Sequence, residues 1–214
     1  QEPHFRDYTN TTSIWDIETT GLDIRNDSIK IIGVQDSEDV SRRFVQVFTW
    51  MIAQDACAKF IQDPDNILIG HNLYAYDLPM IEVKTGVAAK CQVHDTIIMS
   101  NLAFSDLPNS LAFNSSLYSN RPYWKHTSKD NLEWYNAEDV ANTSSVYAGL
   151  QKELKSQHMW EYFLERTVPC TTQVLAMNRE GINLDYGRML AYKAALQKKI
   201  DQLEDLVRDK IKDP

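Results

Sequence analysis

Three short stretches of the chain place carboxylates, and one phenol, at spacings that suit the binding of a hard cation. In Ile14-Trp15-Asp16-Ile17-Glu18-Thr19-Thr20-Gly21-Leu22, Asp16 and Glu18 stand two residues apart. On a strand, residues i and i+2 share a face, so both carboxylates point the same way. Like charges that close raise each other's pKa unless a cation sits between them, and a divalent ion with a preference for oxygen relieves the repulsion. The second stretch, Gly70-His71-Asn72-Leu73-Tyr74-Ala75-Tyr76-Asp77, ends on an acid that alone reads as a helix cap. The third, Tyr135-Asn136-Ala137-Glu138-Asp139, puts a hydroxyl and a carboxylate at i and i+4, on one face of a helix. Each stretch in isolation has an ordinary structural reading; their order along the chain is what joins them.

The elements that must carry these residues are legible from patterning. Ser13–Ile17 reads as a buried strand, followed by strands over Ser28–Val34 and Arg43–Phe48 with short connections, an antiparallel meander. Met51–Gln62 reads as a helix and Asn66–Gly70 as an apolar, interior strand. Leu78–Lys84 is helical, Gln92–His94 is a short fifth strand, and from Asp95 the pattern is mostly helical, clearest over Leu132–Leu154. A helix near Ser110–Leu117 and a loop around Arg121-Pro122 fill the segment before it. The expected fold class is α/β, a five-stranded mixed sheet flanked by helices, with a helical C-terminal extension. Near Arg166 the composition shifts. A long helix follows Asp185, a plausible N-cap, with Leu196, Ile200, Leu203 and Val207 forming one apolar stripe. The expected organisation is one domain over residues 1–165 and a helical segment over 166–214.

With 214 residues, 43% of them hydrophobic and 24% charged, the chain has the composition of a globular protein rather than a disordered or fibrous one. The net charge is −8, and it is uneven: nine basic and seven acidic residues from Arg166 onward, against 13 and 23 before it. That balance speaks against a general nucleic-acid coat protein. Three widely spaced cysteines, Cys57, Cys91 and Cys170, make neither a disulfide framework nor a zinc site and fit a reducing compartment. No apolar run is long enough to span a membrane. Gln1 is not an initiator Met and Pro214 follows a strongly helical stretch, so both ends read as cut ends of a longer chain.

Taken together, D-x-E, then N-x3-Y-D, then Y-x3-D resembles the DEDD exonuclease superfamily in its tyrosine-bearing branch, through Asp16, Glu18, Asp77, Tyr135 and Asp139. The histidine-bearing branch would have histidine where Trp134 stands. Flanking residues narrow the likeness. Ile14–Leu22 and Tyr135–Val140 resemble the first and third exonuclease motifs of family A DNA polymerases. Met177–Asp185 is similar to the segment joining exonuclease to thumb in that family, and Leu107–Phe113 with Tyr123-Trp124-Lys125 looks like phage-type members.

The resemblance implies an RNase H-like exonuclease fold and a proofreading enzyme that hydrolyses the 3′-terminal phosphodiester of DNA, releasing nucleoside monophosphates with two Mg²⁺ or Mn²⁺ ions. It implies that Asp16 bridges both ions, that Glu18 and Asp139 hold the ion activating water, that Asp77 supports the other, and that Tyr135 orients the water. Thr19, Gly21, Leu22, Asn72 and Tyr76 are the candidate contacts to the substrate strand, with Leu22 wedged at the terminal base. The implied partners are a single-stranded 3′ end of DNA and a polymerase domain in the same chain, in a monomeric cytoplasmic protein (the bacterial host's cytoplasm if phage-encoded). His71 and His94 read as structural, and Lys125 as a solvated lysine outside the site. Two other readings stay open: an RNA-directed nuclease like ribonuclease D, and a non-catalytic exonuclease-like scaffold.

Overall fold

The computed structural model describes residues 12–36, 45–127 and 131–212. Five strands form one mixed sheet in the order β3-β2-β1-β4-β5: β1 (Thr12–Thr19), β2 (Ile29–Asp36), β3 (Gln46–Thr49), β4 (Ile67–Gly70) and β5 (Gln92–Asp95). β1 pairs antiparallel with β2 and β2 with β3, while β4 lies parallel to both β1 and β5. This is the RNase H-like architecture that the sequence implies. The third strand begins later than its residue pattern suggests, and Arg43 and Phe44 lie outside the described residues.

β1 is the central strand, and its alternation sorts the sheet's two faces. Trp15 and Ile17 point into the larger core with Ile32, Val34 and Phe60, the Trp15 and Phe60 ring centroids being 4.8 Å apart. Helix α1 (Trp50–Gln62) covers that face, with α2 (Leu78–Thr85) beside it. Asp16 and Glu18 point the other way. A register shift between Glu18 and Thr19 breaks the β1–β2 ladder just past the second acid, the kind of irregularity that ends pairing and re-aims a side chain.

Beyond β5 come α3 (Thr96–Ala103), α4 (Leu111–Tyr118) and the long α5 (Leu132–Ser156). The Asn131 side chain caps α5 by accepting the Trp134 N–H at 2.9 Å. α5 crosses the acid-bearing face, and its first half is unusual: Asn136, Asp139, Asn142, Thr143 and Ser144 are all buried. A helix that buries that many polar side chains is packed against polar chemistry rather than a greasy core. α6 (Trp160–Tyr162) and α7 (Val168–Glu180) follow, joined by a π-helical turn.

The chain divides into two compact units after Leu175, within α7, later than the composition shift at Arg166. The second unit is dominated by α8 (Tyr186–Lys212), which Asp185 caps by accepting the Arg188 N–H at 2.9 Å. The predicted stripe residues Leu196, Ile200, Leu203 and Val207 are all exposed. No helix among the described residues is long and apolar enough to cross a membrane.

Candidate active site

The site is built where β1 ends under the start of α5. Single carboxylate oxygens of Asp16, Glu18 and Asp139 lie within 4.8 Å of one another. Burial, then the charges of Asp77, Asp139 and Glu18, push the Asp16 carboxyl well above the usual range, against a smaller opposing pull from Lys125. Burial and Asp139 raise Glu18 to about 7. Asp16 and Glu18 therefore resist ionising together unless more positive charge joins Lys125 beside them.

Asp77 reaches the same place from another element and is no helix cap. After β4 the chain makes a π-helical turn over Leu73–Asp77, entered through Asn72 in the left-handed conformation (φ 67°), a region that Asn tolerates better than most residues. The turn aims the Asp77 carboxylate at β1, where Oδ1 accepts the Ile17 N–H at 3.1 Å, between the two acids of the D-x-E. Burial raises Asp77 to about 8, partly offset by that hydrogen bond. Asp95 holds the turn from below. Its Oδ1 accepts from the Asn72 N–H (2.9 Å) and the Ile97 N–H (2.9 Å), and its Oδ2 from the Tyr74 N–H (3.1 Å).

α5 contributes Tyr135, Asn136 and Asp139 from one turn. Lys125, in the short 3₁₀ turn Lys125–Thr127, ties them together. Its Nζ donates to Asp139 Oδ1 (2.7 Å) and Oδ2 (2.9 Å) and to the Tyr135 hydroxyl (2.8 Å), and it lies over the Trp124 and Tyr135 rings. Burial works to neutralise the ammonium, but Asp139 and Tyr135 outweigh it and hold its pKa above the ordinary value. Trp124 Nε1 is a second donor to Asp139 Oδ1, at 2.6 Å. Asn136 Nδ2 donates to Asp16 Oδ2 at 2.7 Å and to the Asp16 carbonyl at 3.1 Å. Burial keeps the Tyr135 phenol above its usual pKa, so it is protonated near neutral pH and is no general base there.

One ammonium faces four carboxyl groups, so ionising all of them calls for more positive charge than Lys125 supplies. The ligand atoms of the cluster are oxygens, with no His or Cys in it among the described residues, which fits Mg²⁺ or Mn²⁺ rather than a softer ion. His71 and His94 are engaged elsewhere, with Thr96 Oγ1 (2.8 Å) and the Tyr147 hydroxyl (2.9 Å), and burial lowers both to about 4.

Among the candidate substrate contacts, Thr19, Gly21 and Tyr76 form one network. Thr19 Oγ1 and the Tyr76 hydroxyl lie 2.6 Å apart and 2.8 and 2.7 Å from the Gly21 carbonyl; one hydroxyl donates to the other, which in turn donates to the carbonyl. The space that Gly21 leaves is taken by Asp27, whose carboxylate would stand 2.5 Å from an added Cβ. Leu22 is 84% exposed beside this network. Asn72 is exposed, and its backbone N–H serves Asp95.

Four residues of the site escape sequence reasoning. Lys125, expected to be solvated, is instead the cation that holds Asp139 and Tyr135. Its position ten residues ahead of Tyr135, beside Trp124, marks it only once the loop is seen to fold back. Trp124, Asn136 and Asp95 act through hydrogen bonds to the acids or to the turn that presents one. No spacing rule reports such bonds.

No family model and no curated protein matches the chain. Among solved structures, Brucella melitensis NrnC bound to pGG has a TM-score of 0.66 at 17% identity, over 86% of this chain and 93% of that one. Escherichia coli RNase D, described as an exoribonuclease involved in structured RNA processing, has a TM-score of 0.61 at 17% identity, over 81% of this chain and 46% of that one. The POL domain of Pol1 from M. smegmatis, in complex with DNA primer-template and dNTP, has a TM-score of 0.69 at 11% identity, over 89% of this chain and 32% of that one. At these identities the likeness is one of fold.

Proposed function

We propose that the chain is a metal-dependent 3′–5′ exonuclease, the proofreading portion of a family A DNA polymerase of phage type, acting on a single-stranded 3′ end of DNA. The observation that carries the nuclease reading is the meeting of Asp16 and Glu18 from β1 with Asp139 from α5, their oxygens within 4.8 Å of one another, while Asp77 on the π turn accepts the N–H of Ile17 between the first two. Two bound divalent ions would supply a hydroxide at neutral pH and charge stabilisation for the leaving oxygen. Asp16, Glu18 and Asp139 would hold one ion, with Asp16 and Asp77 supporting the other. Tyr135, kept protonated, orients the attacking water through its hydroxyl. Lys125 places a positive charge beside it. Water adds to the terminal phosphorus, the P–O3′ bond breaks, and the departing 3′ oxygen takes up a proton. The products are a nucleoside 5′-monophosphate and a strand one residue shorter. Leu22, presented to solvent next to Thr19 and Tyr76, offers an apolar surface for the terminal base.

NrnC, described with bound Mg²⁺ as well as with pGG, supports the metal dependence. The motif resemblance of Ile14–Leu22, Tyr135–Val140 and Met177–Asp185 and the fold likeness to Pol1 support the polymerase context. The fold likeness to RNase D favours a second reading, an exoribonuclease. The experiment is release of monophosphates from 3′-labelled DNA and RNA of equal length, with Mg²⁺ or Mn²⁺, by the wild type and Asp16→Ala. DNA-preferring release that Asp16→Ala abolishes is expected. Strong preference for RNA would replace the DNA reading, and equal inertness of both proteins would leave a scaffold.

A further inference from the structure

Gly33 stands directly across from Asp16 in the antiparallel register of β1 and β2. Directly opposed residues send their side chains to the same face, so any side chain at 33 would stand beside the Asp16 carboxylate. Glycine leaves that slot open, and Asn136 fills it from α5. A Cβ on Gly33 would lie 2.4 Å from Asn136 Oδ1 and 2.8 Å from Val140 Cγ2.

Asn136 has no exposed surface, and its amide nitrogen bonds both the side chain and the main chain of Asp16, at 2.7 and 3.1 Å. The orientation of the amide follows from chemistry, since a flipped group would set its oxygen against two oxygens of Asp16. Its own oxygen is buried without a partner. Packing alone would be better served by an apolar side chain, which buries no orphaned carbonyl. What the amide does that an apolar group does not is hold Asp16. The carboxylate sits among Glu18, Asp77 and Asp139, and repulsion favours its turning away from them. Two N–H bonds to one residue oppose that rotation and keep it facing the cluster.

We propose that Asn136, seated in the gap at Gly33, is a positioning residue that fixes the Asp16 carboxylate in the orientation needed to share divalent ions with its neighbours. The inference rests on the reading of the cluster as a metal site. Loss of a residue that orients a ligand lowers metal affinity about ten- to a hundredfold.

The test is a Mn²⁺ titration of the full chain, followed by calorimetry or by the EPR signal of free Mn²⁺, with the metal-free melting temperature measured alongside. Asn136→Ala removes the clamp, and Gly33→Ala displaces it by a steric push on the Asn136 amide oxygen while leaving the asparagine in place. Asn142→Ala is the matched control: it is also a buried α5 asparagine with an unpartnered Oδ1, but its amide bonds the Glu138 carbonyl. Asn136→Ala and Gly33→Ala are expected to weaken Mn²⁺ binding about ten- to a hundredfold and to lower kcat with little change in KM. Asn142→Ala is expected to leave Mn²⁺ affinity unchanged whatever it does to the melting temperature. Wild-type affinity in both Asn136→Ala and Gly33→Ala, or an equal loss in Asn142→Ala, would overturn the proposal while the metal site stood. A wild type that binds no Mn²⁺ would overturn both.

Discussion

Two acids of one sheet, Asp95 at the end of β5 and Asp16 within β1, show what separates a carboxylate that holds the fold from one that the proposed function gives a chemical role. Asp95, at the end of β5, gives its oxygens to backbone N–H groups of Asn72, Tyr74 and Ile97. Burial still raises its pKa, but these three bonds work to lower it, and every donor is a backbone group, two at the π turn and one in the first turn of α3. Asp16, on β1, meets other carboxylates, with only Asn136 and the more distant Lys125 to offset them. An acid enclosed by backbone donors is finished as a structural part. An acid enclosed by acids is incomplete until a cation arrives.

The sharpest way to break the comparison is to remove one acid from each region. Asp16→Ala is expected to leave a folded protein and to slow phosphodiester hydrolysis by roughly 10⁴-fold or more, read as monophosphate release at saturating Mn²⁺. Asp95→Ala is expected to do the opposite, destabilising the protein by about 3–5 kcal/mol in denaturant unfolding because buried N–H groups lose their acceptor. If Asp95→Ala melted like the wild type, the division between structural and functional acid would be wrong.

How far these roles are legible in sequence follows the same division. Asp16 and Glu18 share a strand face, and Tyr135 and Asp139 a helix face, because strand and helix periods are fixed; each pairing is readable from spacing, and the resemblance joins the two pairs. Asp77 by its local pattern reads as a helix cap, and only the family resemblance puts it in the site, since nothing local marks Leu73–Asp77 as a π turn aimed at Ile17. The strands and helices are found to within a few residues because their apolar alternation is strong. The boundary between units is not, because α7 runs through it without a break in pattern. Lys125, Trp124 and Asn136 are hidden for a plainer reason: they act across tertiary contacts, and a lone lysine or asparagine carries no period.

A second measurement sharpens the contrast through pH. Glu18 at about 7 and Asp77 at about 8 lie above their ordinary values, so folded they hold protons that the unfolded chain gives up above about pH 4. Buried His71 and His94, lowered to about 4, do the opposite and offset them up to about pH 6.5. Above that the carboxyls act alone, and stability of the metal-free protein is lost as pH rises through 7 and 8. The melting temperature in EDTA is expected to fall by about 5 °C between pH 6.5 and 8.5, and Mn²⁺ is expected to restore it at the upper end. A flat profile in EDTA would mean that the carboxylates do not confront each other as drawn.

The smallest expected effect falls on Lys125, which stands between the two kinds of acid. Its ammonium serves Asp139 as backbone amides serve Asp95, yet a side chain can leave where a backbone cannot. Lys125→Met keeps much of the side chain's apolar bulk and removes the charge. Without metal, Asp139 then keeps only the Trp124 donor, and the protein should lose about 1–2 kcal/mol, the pair being partly open to solvent. With Mn²⁺ the sign should reverse: binding needs no displacement of an ammonium from Asp139, so affinity rises several-fold while turnover falls for want of the cation beside Tyr135. Stability and metal affinity moving in opposite directions is the signature of a cation that holds the place of another. A fall in both would make Lys125 a fixed part of the site, and Asp139 would then belong with Asp95.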